Sequence, residues 1–386
     1  MPTKATRNEN VRKVVHLTSV HPPFDVRIFH KECKSTARAG YPVTLVVCHD
    51  RDEIVDGVQI KALKRRAGRL SRMTRGVWDV YREALRQDAR LYHFHDPELM
   101  IAGLLLRLKG KQVIYDVHEN VPEDIAFRYY IPRPFRRPIA WLVGLIEAGA
   151  APWFSAIVPA TYPISVHLAP RNNRTVVVCN YPVLSMSQAI VSKPWAERST
   201  CVAYAGVISQ DRCIKQMVEA MALVPTNLRA TLKLAGAFSP TDLRSTISKI
   251  AGWGNVDELG VIDHPSVAAL LDDTCAGLII LRPDPNFLES APIKLFEYMS
   301  AGIPVIASDF PAFQEIVGKT KCGLLVNPLD PKSIAGAIEY ILEHPAEAEQ
   351  MGQRGREAVQ AKYNWASEER KLLELCCELT SAQGPP

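Results

Sequence analysis

None of the nine cysteines stands in a CxxC pair. That spacing excludes a disulfide framework and a cysteine-ligated zinc site, and it fits reduced thiols in a cytosolic setting. The first ten residues, MPTKATRNEN, hold no apolar core, so no secretory signal is expected there. The apolar stretch within residues 128–158 is cut by Glu147 and Pro152 and is too short to span a bilayer. The loop TSVHPPFDVRIFHKE, which follows the first predicted strand, has no glycine. A backbone cradle for phosphate is therefore excluded at that loop, and any phosphate contact falls to side chains, chiefly Arg27. Residues 61–75, KALKRRAGRLSRMTR, have neither an acidic nor an aromatic residue. Without aromatics to stack on bases they make a poor nucleic-acid platform, and they read as a segment for an anionic surface.

What is present is a globular composition: 47% hydrophobic and 23% charged over 386 residues. This length outgrows one core, and two domains of about 180 residues fit it. The net charge of +5 is uneven. Residues 1–180 hold 28 Lys and Arg against 17 Asp and Glu, a net +11; residues 181–386 hold 18 against 24, a net −6. A basic first half calls for an anionic partner: nucleic acid, anionic lipid or a phosphorylated acceptor.

The stretch Leu278–Asp309 carries the clearest chemistry. Leu278–Leu281 reads as a buried parallel strand, Arg282–Leu288 as a polar loop, and Ile303–Ala307 as a second strand. Between them Ser290 is a candidate helix cap, Pro292 fits the first turn, and Gly302 is the stop signal. Glu289 stands just before this helix and Glu297 inside it, roughly 8–10 Å along the axis. A nucleoside diphosphate-sugar spans that gap. Its diphosphate would rest on the free N–H groups of the helix start, its sugar toward Glu289 and its ribose toward Glu297. Lys294 would add a charge-assisted contact. On spacing alone, the alternative is a surface ion pair of Lys294 with Glu297.

The rest of the chain alternates strand and helix. Val11–Leu17, Tyr41–Cys48, Leu91–Phe94, Val113–Tyr115, Ile157–Pro159 and Thr175–Cys179 read as strands of a first domain. Cys201–Ala205, Leu232–Ala235, Val256–Val261, Ala276–Leu281 and Gly323–Val326 read as strands of a second. This rhythm predicts parallel sheets, with ligands at the carboxyl ends of the strands. In the first domain those ends carry His21, Asp25 and Arg27, then His95, Asp96 and Glu98, then Asp116, His118 and Glu119. Asp25, Arg27, His95, Asp96 and Glu119 are therefore candidate acceptor or cleft residues. His93 and His95 share a strand face, but no third ligand is evident, so no metal site is read. Residues 128–158, with Arg128, Tyr129, Tyr130, Phe135, Arg136 and Arg137 before an apolar run, suit a membrane interface as well as they suit a core helix.

These motifs resemble the retaining glycosyltransferases of family 4, over about residues 12–378. ESAPIKLFEYMSAGIPVIASD matches that family's E-x7-E motif at Glu289 and Glu297. CGLLVNPLDPKSIAGAI is similar to its next block, and VHPPFDVRIFHKECKS, HFHDPELM and VIYDVHEN resemble a branch associated with bacterial exopolysaccharide and O-antigen assembly. The resemblance implies a GT-B fold of two Rossmann-like α/β domains facing a central cleft. It places Glu289 at the donor sugar and Glu297 at the ribose. Lys294 and the backbone of Ala291, Pro292 and Ile293 would meet the diphosphate. It also assigns His118 to the reacting centre, Gly206 and Arg212 to a strand–turn phosphate site, and the backbone of Val261 and Ile262 to the base. Two departures stand out. Val207 occupies a position where the family commonly has arginine, leaving only Arg212 of a basic pair, with Arg282 or Arg27 as substitutes. The glycine-poor first loop is the other.

The expected boundaries are a disordered start at 1–10, a first domain at 11–180, a linker at 181–197, and a donor domain at 198–364. A C-terminal helix at 365–386 is expected to pack back on the first domain. The expected function is retaining transfer of a hexosyl or N-acetylhexosaminyl group from a nucleotide sugar, UDP- before GDP-, to a lipid-linked or other saccharide acceptor. Neither metal nor cofactor is expected, nor is nucleic acid a partner. The expected place is the cytoplasmic face of an anionic membrane. A sugar-nucleotide epimerase and a non-catalytic binding subunit are the other readings of the same fold.

Overall fold

The computed structural model describes residues 12–127, 131–184, 193–288 and 291–381. Glu289, Ser290 and the start expected to be disordered lie outside these residues, as do residues 185–192 of the expected linker. The chain divides into two units, Met1–Asn180 with Trp365–Pro386, and Tyr181–Asn364.

The first unit is built on β1 (Val14–Leu17), β2 (Val43–Cys48), β3 (Glu53–Val55), β4 (Val58–Leu63), β5 (Leu91–Phe94), β6 (Gln112–Val117) and β7 (Ala156–Pro159). The sheet order is β3-β4-β2-β1-β5-β6-β7. All neighbours are parallel except β3 with β4. Strand alternation splits the residues between two faces. Val15, Leu17, Tyr92, Phe94, Tyr115 and Val117 join one apolar core. His16, His93 and Asp116 are their neighbours in sequence and therefore point to the other face. His16 pairs directly with His93, and β5 pairs β6 through Phe94 and Tyr115. This register sets His16, His93, His95 and Asp116 side by side beneath the helix Val26–Cys33.

One expectation is corrected here. Thr175–Cys179 is not a strand; it runs beside β7 through a bridge at Ile157 and bonds from Val176 and Val178. The start of the basic segment, Lys61–Leu63, is the end of β4. The last helix, Trp365–Ser381, packs within the first unit. Trp365 Nε1 donates to Ser35 Oγ at 2.9 Å, and Glu368 accepts the Cys179 N–H at 2.7 Å.

The second unit holds β8 (Cys201–Ala205), β9 (Thr231–Ala235), β10 (Val256–Gly260), β11 (Ala276–Ile279), β12 (Val305–Ser308) and β13 (Gly323–Val326), all parallel in the order β10-β9-β8-β11-β12-β13. The central strands read as unbroken apolar runs because both faces are covered. Leu278 and Ile280 enter one core while Ile279 and Leu281 enter the other. Each such side chain contributes about 1.5–3 kcal/mol by leaving water. Strand order reverses between β1 and β5 in the first sheet and between β8 and β11 in the second. These are the switch points where an open α/β sheet admits a ligand.

Candidate active site

In the second unit, the switch point lies where β8 ends in Gly206 and β11 leads through residues 280–288 toward the helix Ile293–Ala301. That helix buries Leu295, Phe296, Tyr298 and Met299 and leaves Lys294 and Glu297 half-buried on its other side. Gly302, at φ 69°, closes it in the left-handed conformation, with its N–H on the Met299 carbonyl at 3.0 Å. The structure moves its start. Pro292 stands at the cap position rather than inside the first turn, and among the described residues no side chain caps the first turn. The N-terminal amides therefore remain available to an anion.

Tyr298 holds this helix to the end of β8. Its hydroxyl accepts the Ala205 N–H at 3.1 Å, and its ring fills the space over Gly277, where a Cβ would fall 2.2 Å from it. The Lys294 side chain then lies across Gly206, whose φ is +143°; a Cβ there would sit 2.3 Å from both Lys294 Cε and Nζ. Arg212 stands 5.0 Å from the centre of the Phe287 ring, a cation–π contact. Among the described residues Lys294 forms no ion pair with Glu297, so the surface-pair alternative is set aside. Burial, and then the Arg212 charge, hold the Lys294 ammonium below its ordinary pKa; Glu297 acts weakly the other way. Two cations press on each other and, among the described residues, neither is bound by a carboxylate, which is the electrostatics of a site for an anion. Val207 offers only a carbonyl, which accepts from Tyr204 at 2.6 Å. Val261, 78% exposed, and Ile262 follow the end of β10.

A substitution isolates this geometry. Gly206→Ala displaces the flexible end of Lys294 and strains the backbone at φ +143°, so kcat/KM should fall steeply while Tm drops only modestly. Gly236→Ala drives a Cβ to 1.8 Å from the Gly206 carbonyl oxygen and should instead lower Tm sharply. Melting curves beside initial rates separate the two.

In the first unit, the predicted polar residues assemble, but several hold each other rather than standing open. Arg27 is 3% exposed. Its guanidinium donates to Asp116 Oδ1 at 2.9 Å and to the Val178 carbonyl at 2.7 Å, and its Nε lies 3.0 Å from Glu32 Oε1. This corrects its reading as a phosphate contact and removes it as a substitute for the missing basic residue. Asp25 caps the helix, accepting the N–H groups of Arg27 and Ile28. Burial opposes its charge, but hydrogen bonds from His21 and the Ile28 amide hold its carboxyl down at about 2. Asp96 organises the glycine-free loop, accepting from Thr18 Oγ1 and Ser19 Oγ at 3.0 Å each. His95 is buried, with its Nδ1 3.2 Å from His118 Nε2. Burial pushes the His118 imidazole down to about 4, so it is neutral. His118 is partly open to solvent and Glu119 is exposed. Sequence reasoning missed Glu98 with Arg72, 3.0 Å apart, which ties the basic segment to this strand end. It also missed Tyr298 and Phe287, which carry no motif signal; only Gly277, a glycine inside an apolar strand, hinted at a close approach.

Residues 187–358 match the model of the family described as Glycosyl transferases group 1. An MMP alpha-(1->4)-mannosyltransferase of Mycolicibacterium hassiacum is 23% identical over 80% of this chain and 72% of its own length. A phosphatidyl-myo-inositol mannosyltransferase of Mycobacterium leprae is 32% identical, over 30% of this chain and 34% of its own. Sucrose-phosphate synthase from Thermosynechococcus elongatus superposes with a TM-score of 0.77 at 20% identity, covering 96% of this chain and all of that one. Residues 187–358 therefore belong to the Glycosyl transferases group 1 family, in a chain whose two Rossmann-like units make the GT-B fold.

Proposed function

We propose that this glycosyltransferase moves a hexosyl or N-acetylhexosaminyl group, with retention, from a nucleotide sugar to a hydroxyl of a lipid-linked saccharide in bacterial polysaccharide assembly. The observation that carries the reading is the pair Lys294 and Arg212, two cations that press on each other with no ion pair among the described residues, beside a helix start that no described side chain caps. Breaking the glycosidic bond leaves negative charge on the nucleoside diphosphate. Lys294, Arg212 and the amides of Ile293 and Lys294 stabilise that charge as it forms. No metal is needed for that step. Glu297 takes the ribose hydroxyls, and Glu289 takes the role opposite the sugar. His118, neutral at the end of β6, serves as a hydrogen-bond partner rather than as a cation. Uridine is the first base to test and guanosine the second.

The acceptor side rests on the surface of the first unit. Among the described residues no helix is long and apolar enough to cross a membrane. The helix Arg133–Ala150 nevertheless exposes Phe135, Ile139, Trp141, Leu142, Leu145 and Ile146, with Trp141 68% open. A stripe of that kind flanked by Arg133 and Arg137 suits burial at an anionic lipid interface. Arg75, Trp78 and Arg82 line an open groove of about 530 Å³ together with Thr74 and the ion pair Arg66–Asp79, and the arginines outnumber that one carboxylate, which suits an acceptor phosphate. The relative from Mycobacterium leprae bears a lipid in its name, which supports a lipid acceptor.

The test is a transfer assay with UDP- and GDP-sugars on vesicles carrying a lipid-diphosphate saccharide. Product with retained configuration is expected. Donor turnover that needs no acceptor would favour the epimerase. Separately, the protein should sediment with vesicles of anionic lipid and release at high salt, and Trp141→Ser with Leu142→Ser should weaken that binding several-fold. Equal binding to neutral vesicles contradicts the membrane part alone.

A further inference from the structure

The polar face of the first sheet is more than a packing accident. His16, Glu32, His93 and His95 are at most 2% exposed, and one ligand atom from each lies within 4.8 Å of the others. Glu32 Oε2 is 3.9 Å from His16 Nδ1, 3.8 Å from His93 Nδ1 and 3.9 Å from His95 Nε2. His16 Nδ1 and His95 Nε2 are 3.0 Å apart. A tetrahedral zinc with bonds near 2.0–2.1 Å sets its ligand atoms about 3.3 Å from one another, so the Glu32 oxygen would close on each imidazole by about half an ångström, and no pair would close by more than about 1.5 Å.

The outer atoms fit the same picture. His93 turns Nε2 toward Asp116 Oδ2 at 3.3 Å, and His95 turns Nδ1 toward the same oxygen at 3.5 Å. That frees His93 Nδ1 and His95 Nε2 to point inward, the carboxylate–histidine arrangement that orients metal ligands. Arg27 holds Glu32 by its other oxygen. Yet both Glu32 oxygens and both His93 nitrogens lack a well-aligned hydrogen-bond partner. The charge count is also short: one guanidinium faces two carboxylates, Glu32 and Asp116, in a dry interior. Either a proton or a cation therefore completes the cluster.

We propose that His16, Glu32, His93 and His95 bind a divalent transition-metal ion of the zinc class, as a structural site in the interior of the first unit. The missing third ligand of the His93–His95 pair is supplied from β1 and from the helix above it. The ion takes no part in sugar transfer. It joins β1, β5 and the helix Val26–Cys33, and it is loaded as the unit folds.

The test uses the full chain, prepared without a histidine tag. Metal is counted by mass spectrometry, and the protein is refolded from denaturant and chelator with and without Zn(II), then with Co(II) as a spectroscopic probe. The expected result is about one ion per chain, a Tm raised by Zn(II) during refolding, and tetrahedral Co(II) bands without thiolate charge transfer. Glu32→Gln and His93→Gln should each lower metal content at least ten-fold. Should these variants fail to fold, the wild-type metal count and Co(II) spectrum decide alone. Metal-free protein that refolds identically without Zn(II) would mean that a proton on Glu32 completes the cluster, and overturns the proposal. Thiolate bands would place any bound metal on the cysteines and overturn it equally.

Discussion

Lys294→Met should lower kcat/KM by roughly 10²–10³-fold, the usual cost of removing one preorganised charge donor from a developing anion, while leaving Tm unchanged or raised. The two directions come from one cause. Burial and Arg212 make the ammonium costly in the free protein, where its pKa is held down. A folded-state pKa below the unfolded value means that the charge works against folding at neutral pH. Methionine keeps the aliphatic stem over Gly206 and removes that cost. Activity is lost because the diphosphate loses its partner. Loss of activity with an equal loss of stability would point to a packing role. Unchanged activity would remove Lys294 from the site. Val207 sharpens the prediction, since the strand turn supplies no second charge there to take over.

The second large effect is on stability. Arg27→Met leaves Asp116 buried and uncompensated, and breaking such a pair costs about 3–5 kcal/mol. For a unit of this size that lowers Tm by roughly 2–4 °C per kcal/mol. Arg27→Lys should rescue little, because an ammonium cannot reach Asp116, Glu32 and the Val178 carbonyl together. Had Arg27 been a phosphate ligand, the same substitution would raise KM and spare Tm. Calorimetry beside Michaelis kinetics tells these outcomes apart.

The contrast between Lys294 and Arg27 marks where reading the sequence works. Lys294 and Glu297 share a face because the helical period places them there, and Gly302 ends that helix as its position predicts. Buried parallel strands announce themselves as apolar runs. Arg27 shows the limit. Nothing local distinguishes an arginine turned inward onto a sheet from one turned toward a ligand. The same limit hid His16, whose meeting with His93 depends on the register of β1 against β5. Thr175–Cys179 is as apolar as a strand, yet its ladder is incomplete. The β3–β4 hairpin had a legible signal that went unused: Asp56-Gly57, both at positive φ, makes its two-residue turn.

The central claim is that the switch point of the second sheet holds the donor. Thermal shift of the intact chain against UDP-, GDP- and dTDP-sugars tests it directly, since stabilisation follows affinity. One nucleotide-sugar class should raise the wild-type Tm, with the rise reduced in Lys294→Met and Glu297→Ala. Equal rises in wild type and both variants would place the donor elsewhere and contradict the account.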